Sequence, residues 1–383
     1  MKRRTYFLLL TLIIAAPGLM KGVLMMLGHN VDPVFGCGDT RVFKNAVDKW
    51  VSKNNAYLEE GFIYPPGALL FLSVMALFPA GNLFCIGFNI LKIIILLLTV
   101  YFIKERNNLD LKEALLLFLL LFLWFPVKRD FSLGNINTLL MFAATLAWAF
   151  PYSSLVAFVG AATTVIKFWG VSILLYFIGN KKLKELVLSL ALILVFIAGT
   201  ANQIPMFVDR ITSYYGRIEK LPESYHEIRD VSRSTNISPF HIIAEVSYNF
   251  GLVIPNWVLL ILKVLLLLWY IKMINYVPND SVKFELYLLT PFLLSDSFRP
   301  WHVFLWCFPL VFRIYSSNEH AILKIISQVF LSFQSVFYFI ALKTSKFFSD
   351  LLFLVPPAEI TFLLFFYLVI KEIVLGAREV GQK

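Results

Sequence analysis

Charged residues are scarce in this chain of 383 residues, because Asp, Glu, Lys and Arg together make up only 15% of it. A typical soluble protein has about 25%. Hydrophobic residues reach 59%, and the mean hydropathy is +0.77. Apolar runs such as 113–125 and 258–271 have the length of bilayer spans and lack the alternation of β-barrel strands. These features exclude a soluble fold and predict an all-α, polytopic membrane protein.

Cysteines and metal-binding patterns are also few. The three cysteines, Cys37, Cys85 and Cys307, are too scattered to predict a disulfide framework or a CxxC metal site. The first loop, residues 28–63, contains no Asp-x-Asp pair. We therefore expect neither a metal ion nor another cofactor.

Basic residues outnumber acidic ones, 34 to 24, which gives a formal net charge of +10. In a membrane protein such an excess follows the positive-inside rule and does not indicate a nucleic-acid partner. The basic start of the chain and the lysine-rich loop 179–185 are therefore predicted to be cytoplasmic, as is the C-terminal tail. Residues 5–27 resemble a secretory signal but are interpreted as an uncleaved first span.

The apolar runs predict a single integral membrane domain, 1–383, with about twelve transmembrane helices. Their alternation places the loop 104–112 outside and the region around 127–134 inside, although the similar basic content of the two leaves the side of 128–137 open. The predicted spans are 5–27, 64–80, 82–103, 113–127, 135–150, 152–178, 186–204, 253–273, 284–295, 302–315, 322–342 and 355–373.

Three polar stretches fall on the extracytoplasmic side in this arrangement. They are the first loop (28–63), a long loop from about 205 to 252, and the turn 295–301. Loops longer than about 12–15 residues are usually functional or disordered. A site at the outer surface of the membrane is therefore expected.

The first loop contains an amphipathic pattern that begins at Asp39. Val42, Phe43, Ala46, Val47, Trp50 and Val51 recur at helical spacing, with charged and polar residues between them. This pattern predicts a helix lying in the membrane interface, with Trp50 as an aromatic anchor. Asp39 can be read as the N-cap of this helix or as a functional carboxylate, and the two interpretations are compatible.

Other polar residues stand at the ends of predicted spans. Tyr64 precedes two prolines at a helix start, and Asn135 and Asn137 follow Gly134, all of which ordinary helix starts would explain. Lys167 is placed well inside the span 152–178, where a lysine marks a function or a buried partner. The turn near residue 300 collects three further polar residues, which are Asp296, Arg299 and His302.

These segments together resemble glycosyltransferase family 87 in order and spacing. The matching features are Asp39 with Val42 and Phe43, the Tyr-Pro-Pro-Gly of 64–67, and the Gly-Asn-Ile-Asn of 134–137. Three later segments also match, namely the span that carries Lys167, TNISPFHIIAEV (235–246) and LLSDSFRPWHVFLW (293–306). The resemblance covers residues from about 30 to 306.

The chain also departs from the family pattern. The usual Gly-Gln-x-Asn reads Gly-Asn-Ile-Asn, Lys-Pro-x-Pro reads Lys167-Phe168-Trp169-Gly170, and Ser-Pro-x-Ser-Trp reads Ser-Asp-Ser-Phe at 295–298. These differences indicate a divergent member and leave its substrate pocket open.

The resemblance implies a GT-C-type helical bundle and a hexosyltransferase, with α-mannosyltransferase activity as the first expectation. The donor would be a polyprenyl-phosphate sugar and the acceptor a lipid or glycan hydroxyl, on the extracytoplasmic face and with inversion. Asp39 would be the base, and Tyr64, Asn135, Asn137, Lys167, Arg299 and His302 would bind donor or acceptor.

Three alternatives remain open from the sequence. A lipid-linked sugar flippase or small-molecule transporter would share the composition and the intramembrane lysine, although transporters often carry internal repeats and midplane sites. A different GT-C glycosyltransferase acting on lipid-anchor glycans is the nearest enzyme alternative. A purely structural membrane protein would not need Asp39 and Lys167.

Overall fold

The structure is a computed structural model, and every element in its described residues is helical, without strands. The all-α prediction is therefore confirmed for this part of the chain. The structure describes residues 8, 10–17, 37–59, 61–77, 82–151, 154–219, 254–295, 299–316, 320–344, 361–371 and 373.

The helices are numbered here in chain order after a first helical stretch at 10–17. Three short 3₁₀ helices, Ala56–Leu58, Ser73–Leu77 and Ala201–Gln203, lie between them. The α-helices are α1 (Gly38–Val51), α2 (Ala68–Leu72), α3 (Asn82–Asn107), α4 (Leu111–Leu123), α5 (Phe125–Leu133), α6 (Asn137–Ala149), α7 (Ser154–Lys167), α8 (Val171–Gly179), α9 (Leu183–Ala198), α10 (Ile204–Glu219), α11 (Asn256–Asn275), α12 (Asp280–Tyr287), α13 (Thr290–Leu294), α14 (Pro300–Trp306), α15 (Phe308–Ser316), α16 (Ala321–Thr344) and α17 (Thr361–Lys371).

Few of these helices are long enough to cross a bilayer unaided. Among the described residues, Phe84–Asn107 and Trp257–Asn275 have the length and apolarity of a span. The pair Leu183–Ala198 and Ala201–Ser213, bent by 66°, would be a third if it forms one broken span. The chain is thus a protein with membrane-spanning helices, and the number twelve stays a prediction.

Two predicted spans are not single helices of bilayer length in the residues that the structure describes. Residues 64–80 contain the short apolar helix Ala68–Leu77, which at 1.5 Å per residue reaches about half of a bilayer. Residues 152–178 form two helices, α7 and α8, because Phe168 adopts a left-handed φ of 56° between them. Periodicity alone does not reveal such a break, since the residues on both sides of it are equally apolar.

Contacts separate the chain into two compact units. One comprises 33–95 and 130–230, and the other comprises 1–32, 96–129 and 231–383. Residues 33–95 and 130–230, called the first-loop unit below, contain α1, α2 and the helices α6 to α10, together with parts of α3 and α5. These units are defined by contacts within the protein and not by the membrane, so the single integral membrane domain stays a prediction.

The helix predicted in the first loop is present as α1, and its apolar face is covered by protein. Phe43, Ala46 and Val47 are buried in a cluster that also includes Phe62 and Tyr64. Trp50 packs against the same cluster while partly exposed. Protein side chains therefore cover much of the face that we expected to meet the membrane interface.

Contacts within the second unit correct the predicted alternation of sides. Arg106 at the end of α3 donates a hydrogen bond from Nη2 to the Ser281 Oγ of α12, over 2.8 Å. Counting twelve spans would place the loops 104–112 and 274–283 on opposite sides of the membrane. A direct hydrogen bond requires them to lie on one side.

Candidate functional site

Asp39 lies in the first turn of α1, but it does not cap the helix. Cys37 occupies the N-cap position, and no side chain makes a capping hydrogen bond there. Asp39 stands two residues further on, where its charge still favours the helix dipole. Its Oδ2 oxygen instead accepts a hydrogen bond from the Asn135 side-chain amide. The N-cap interpretation is therefore wrong, and the carboxylate is oriented by a tertiary contact.

Asn135 belongs to a turn at residues 134–137, called here the asparagine turn, that packs against the start of α1. Gly134 adopts a φ of 71°, a conformation that glycine reaches without strain. The Thr40 hydroxyl donates to the Gly134 carbonyl oxygen over 2.5 Å. The asparagine turn and the start of α1 are therefore in direct contact.

Tyr64 completes the contacts of Asn135. The Tyr64 hydroxyl donates to Asn135 Oδ1 over 3.3 Å, and the same oxygen accepts the Ile136 backbone N–H over 2.7 Å. The Tyr64 ring meets the Phe43 ring edge-on, with 5.1 Å between centroids. Burial raises the pKa of the Tyr64 hydroxyl, so this group is a neutral hydrogen-bond donor.

Lys167 is the last residue of α7, at the break inside the predicted span 152–178. Its ammonium donates to Asn137 Oδ1 over 2.6 Å. The Nζ atom also lies 4.5 Å from the centroid of the Trp169 ring and 5.3 Å from that of Tyr64. Two aromatic faces and one amide thus hold the cation.

The break after Lys167 depends on a close approach of two backbone segments. A Cβ atom on Gly170 would overlap the Gly160 carbonyl oxygen and the Thr163 hydroxyl, so a side chain does not fit there. The chain can therefore turn sharply after α7 without the prolines of the usual family motif. This turn places Lys167 at a helix end beside Asn137.

Asn137 is fully buried, and its amide has a free donor. In the part of the chain that the structure describes, its Nδ2 atom has no hydrogen-bond partner, whereas its Oδ1 atom accepts from Lys167. An unpaired buried donor costs about 1–3 kcal/mol unless something accepts from it. A buried N–H beside an ammonium group is suited to an anionic oxygen.

The electrostatic surroundings of Asp39 oppose its ionisation overall. Burial is the largest influence and raises the pKa of its carboxyl above the ordinary value; the Asn135 hydrogen bond and the Lys167 charge lower the pKa in part. Asp130 raises it and Lys92 lowers it to a smaller extent. A carboxylate with a raised pKa is a stronger base than a solvated one.

Arg299 and His302 belong to the other unit and are described separately. The Arg299 guanidinium lies 5.3 Å from the centroid of the Trp301 ring, and the rings of Trp301 and His302 are 5.9 Å apart. Arg129, which the sequence did not single out, also lies over the Trp301 ring, at 5.7 Å. Asp296 lies outside the described residues.

Sequence reasoning missed two charged residues of the first-loop unit, Lys92 and Asp130. Both are completely buried, and their Nζ and Oδ2 atoms are 3.2 Å apart. The signal was available for Lys92, because a lysine inside an apolar run of spanning length is expensive and marks a function or a partner. Asp130 was hidden in a run that also contains Lys128 and Arg129 and so looked like a charged loop.

A disulfide bond was also not predicted from the sequence. Cys37, directly before α1, forms a disulfide with Cys85 near the start of α3, with 5.7 Å between the Cα atoms. We expected no disulfide framework because the cysteines are few and far apart in the sequence. A single disulfide needs neither a cysteine pattern nor closeness in sequence. Cys307 is buried and free.

Among the described residues, no three His, Cys, Asp or Glu side chains are grouped closely enough to hold a metal ion.

A sequence model of glycosyltransferase family 87 matches residues 62–295, which is more than half of the chain. The chain belongs to glycosyltransferase family 87. No curated protein and no solved structure matches it.

This family 87 member is accordingly a membrane glycosyltransferase with a sugar donor and an acceptor as substrates. Tyr64, Asn135, Asn137 and Lys167 lie inside the matched range, whereas Asp39, Arg299 and His302 lie outside it. Within the first-loop unit, the structure brings Asp39 together with all four of those matched residues. The cluster combines a carboxylate that can accept a proton with an ammonium and an amide that can bind an anion.

Proposed function

We propose that the protein transfers a sugar, with mannose as the first candidate, from a polyprenyl-phosphate donor to a hydroxyl group of a lipid or glycan acceptor. The reaction proceeds with inversion on the extracytoplasmic face, while both chain termini are cytoplasmic. The observation that carries the proposal is the Asp39–Asn135 and Asn137–Lys167 pairing in one cluster of a family 87 protein.

Asp39 is the general base in this reaction. Asn135 engages its Oδ2 oxygen, and the partly exposed carboxylate keeps Oδ1 for the acceptor's proton. Burial raises the pKa of Asp39, which brings its basicity closer to that needed near neutral pH. The hydrogen bond from Asn135 restricts the rotation of the carboxylate and so directs it.

Lys167 and Asn137 bind the donor phosphate. The ammonium group and the free amide N–H of Asn137 supply two donors to phosphate oxygens, and they stabilise the negative charge that grows on the leaving group. Tyr64 holds the asparagine turn by donating to Asn135 and lies under Lys167. Its role is in binding and not in proton transfer.

The reaction is a single displacement in which one bond forms and one breaks at the anomeric carbon. The acceptor oxygen forms a bond to the anomeric carbon while its proton passes to Asp39, and the bond from that carbon to the phosphate oxygen breaks. The polyprenyl phosphate leaves with the electron pair as a stable anion. Arg299 and His302 are proposed to bind the donor phosphate or sugar, and unchanged donor affinity in their alanine variants would remove this assignment.

The test compares Asp39→Asn with Asp48→Asn, a second aspartate on the same helix that pairs with Lys44 over 2.5 Å. Purified protein in liposomes receives radiolabelled polyprenyl-phosphate mannose and a membrane extract as the source of acceptors. Asp39→Asn retains an oxygen for Asn135 but loses the base, so transfer should fall at least about 100-fold. Asp48→Asn should keep wild-type activity.

Other outcomes separate the alternatives. Full transfer by a folded Asp39→Asn variant would exclude Asp39 as the base. Movement of labelled lipid between leaflets without a new glycosidic product would favour a flippase. Transfer from polyprenyl-phosphate arabinose or galactose, but not mannose, would replace the sugar and leave the mechanism unchanged.

A further inference from the structure

A buried ion pair lies behind the asparagine turn, away from the groups assigned to the reaction. Asp130, in α5, and Lys92, in the spanning helix α3, are both fully buried. The Lys92 ammonium is 3.2 Å from Asp130 Oδ2 and donates to the Asp130 backbone carbonyl over 3.0 Å. It also lies 5.1 Å from the ring centroids of Phe88 and Phe131.

Asp130 accepts hydrogen bonds from the first two backbone N–H groups of α6 and from groups beside them. Its backbone carbonyl accepts the Asn135 N–H over 3.0 Å. Its carboxylate accepts the Asn137 N–H over 3.0 Å, the Thr138 N–H over 3.2 Å and the Thr138 hydroxyl over 2.6 Å. The first N–H groups of a helix have no partner within the helix, so this residue satisfies α6 from outside.

Two of the three backbone positions that bond to Asp130 carry side chains that reach the site. Asn135 carries the amide that donates to Asp39, and Asn137 carries the oxygen that accepts from Lys167. Because Asp130 fixes the backbone of both residues, it sets the positions of both side chains together. A shift of one ångström in such a group can reduce a rate about 100-fold.

Lys92 makes this arrangement tolerable in an apolar interior. An ionised carboxylate without a partner is strongly destabilising when buried, and breaking such a pair is far worse than never having it. The Lys92 ammonium neutralises Asp130 and fastens it to a helix long enough to span the membrane. The asparagine turn is thereby anchored to α3.

We propose that Asp130 and Lys92 are positioning residues for sugar transfer: Asp130 holds Asn135 and Asn137 in register with Asp39 and Lys167, and Lys92 holds Asp130 in place. Neither residue touches the substrates. The inference rests on the proposed function, because it assigns the two residues to the same site.

A purely structural ion pair would account for the burial and the short distances, and it predicts different consequences. Loss of a structural pair lowers the amount of folded protein and leaves the folded fraction fully active. Loss of a positioning pair lowers kcat of the folded fraction. It also changes the pH dependence of transfer through the charges that Asp39 experiences.

The variants are Asp130→Asn, Lys92→Met, the double variant, and Thr138→Val, which removes one donor to Asp130 and leaves both charges of the pair in place. Ser189→Ala is the control, because Ser189 is a buried residue of the same unit that donates to the Ala157 carbonyl over 3.0 Å. We expect kcat per folded molecule to fall about 100-fold in Asp130→Asn and several-fold in Thr138→Val. The donor KM should change less than kcat, and Ser189→Ala should match the wild type.

The pH profile of kcat/KM should shift in opposite directions in the two single variants. Asp130 raises the pKa of Asp39 and Lys92 lowers it. The acid limb of kcat/KM should therefore move to lower pH in Asp130→Asn, to higher pH in Lys92→Met, and stay near the wild-type position in the double variant. Opposite shifts would show that both charges act on Asp39, whereas kcat per folded molecule and amide exchange distinguish a positioning pair from a structural one.

Hydrogen–deuterium exchange decides the matter independently of activity. The amides of Asn137 and Thr138, whose acceptor is the Asp130 carboxylate, should exchange at least tenfold faster in Asp130→Asn, while peptides from α9 exchange as in the wild type. Unchanged exchange at these two amides, or wild-type kcat in folded Asp130→Asn, overturns the inference even if Asp39→Asn is inactive. If wild-type protein transfers no sugar, the proposed function fails, and the exchange result alone still supports or overturns the anchoring of the turn.

Discussion

Lys167 shows how the meaning of one residue depends on where its helix ends. In the sequence it stands inside a long apolar run and looks like a charge buried in mid-membrane. In the structure it ends α7, donates to Asn137 and lies between the rings of Tyr64 and Trp169. Its place beside Asn137 follows from the end of α7 and not from its position within the apolar run.

Lys167→Gln should weaken donor binding and move the pH profile. Loss of a charge-assisted hydrogen bond to phosphate costs about 1.5–3 kcal/mol, so the donor KM should rise roughly 10- to 100-fold. The Lys167 charge lowers the pKa of Asp39, and its removal should shift the acid limb of kcat/KM to higher pH. Steady-state kinetics between pH 4 and about 8, where carboxyl groups titrate, measures both effects.

Lys182→Gln is the matched control for this substitution. The Lys182 ammonium also contacts an aromatic residue, donating to the Tyr176 hydroxyl over 2.6 Å and lying 4.5 Å from its ring centroid. It has no place in the proposed site, so donor KM and pH profile should stay unchanged. An equal loss of donor affinity in both variants would contradict a specific phosphate contact at Lys167.

Among the elements, α1 is the one that carries Asp39, and three kinds of contact fix it. Its apolar face is buried in a core cluster, Thr40 donates to the Gly134 carbonyl, and the disulfide of Cys37 with Cys85 links its start to α3. The amphipathic pattern predicted the helix, since spacing determines which residues share a face. It did not predict the covering partner, which comes from distant parts of the chain.

The disulfide should contribute measurably to stability. Cys37 and Cys85 are 48 residues apart in sequence, and closing a loop of that size stabilises the folded state by about 2–4 kcal/mol. Thermal unfolding of the purified protein should therefore begin at lower temperature in the Cys37→Ser/Cys85→Ser variant. Wild-type protein in reductant should behave like this variant.

Cys307→Ala supplies the control, because Cys307 is buried and free. Its unfolding should remain sensitive to reductant, whereas that of the double serine variant should not. If the wild-type protein unfolded at the same temperature with and without reductant, that result would argue against the disulfide.

For the molecule as a whole, the sides of the membrane follow from contacts more securely than from counting spans. An error in one span reverses the side of every later loop. Here 64–80 contains a helix that reaches about half of a bilayer, and 152–178 is interrupted at Phe168, so neither can be counted as one complete span. The Arg106–Ser281 hydrogen bond places 104–112 beside 274–283 without such a count.

Labelling from outside the cell tests this correction. Asn108→Cys and Pro278→Cys place one exposed thiol in each of the loops joined by the Arg106–Ser281 hydrogen bond. Both should resist a membrane-impermeant maleimide in intact cells and react after lysis, because basic loops are retained in the cytoplasm. Lys184→Cys, in the lysine-rich loop, should behave likewise as the cytoplasmic reference. Labelling of only one of the first two thiols would contradict the contact.

The sequence by itself determined the class of protein, the helical nature of its segments and most of the residues of the proposed site. Composition and apolar runs are local properties, and Asp39, Tyr64, Asn135, Asn137 and Lys167 stood out beside them. Only the tertiary structure decided where helices break, that Asn135 rather than helix capping orients Asp39, and that Lys92 and Asp130 lie behind the asparagine turn. The physical reason is that these features depend on contacts between residues far apart in the chain, such as Asn135 with Asp39, and no local pattern records them.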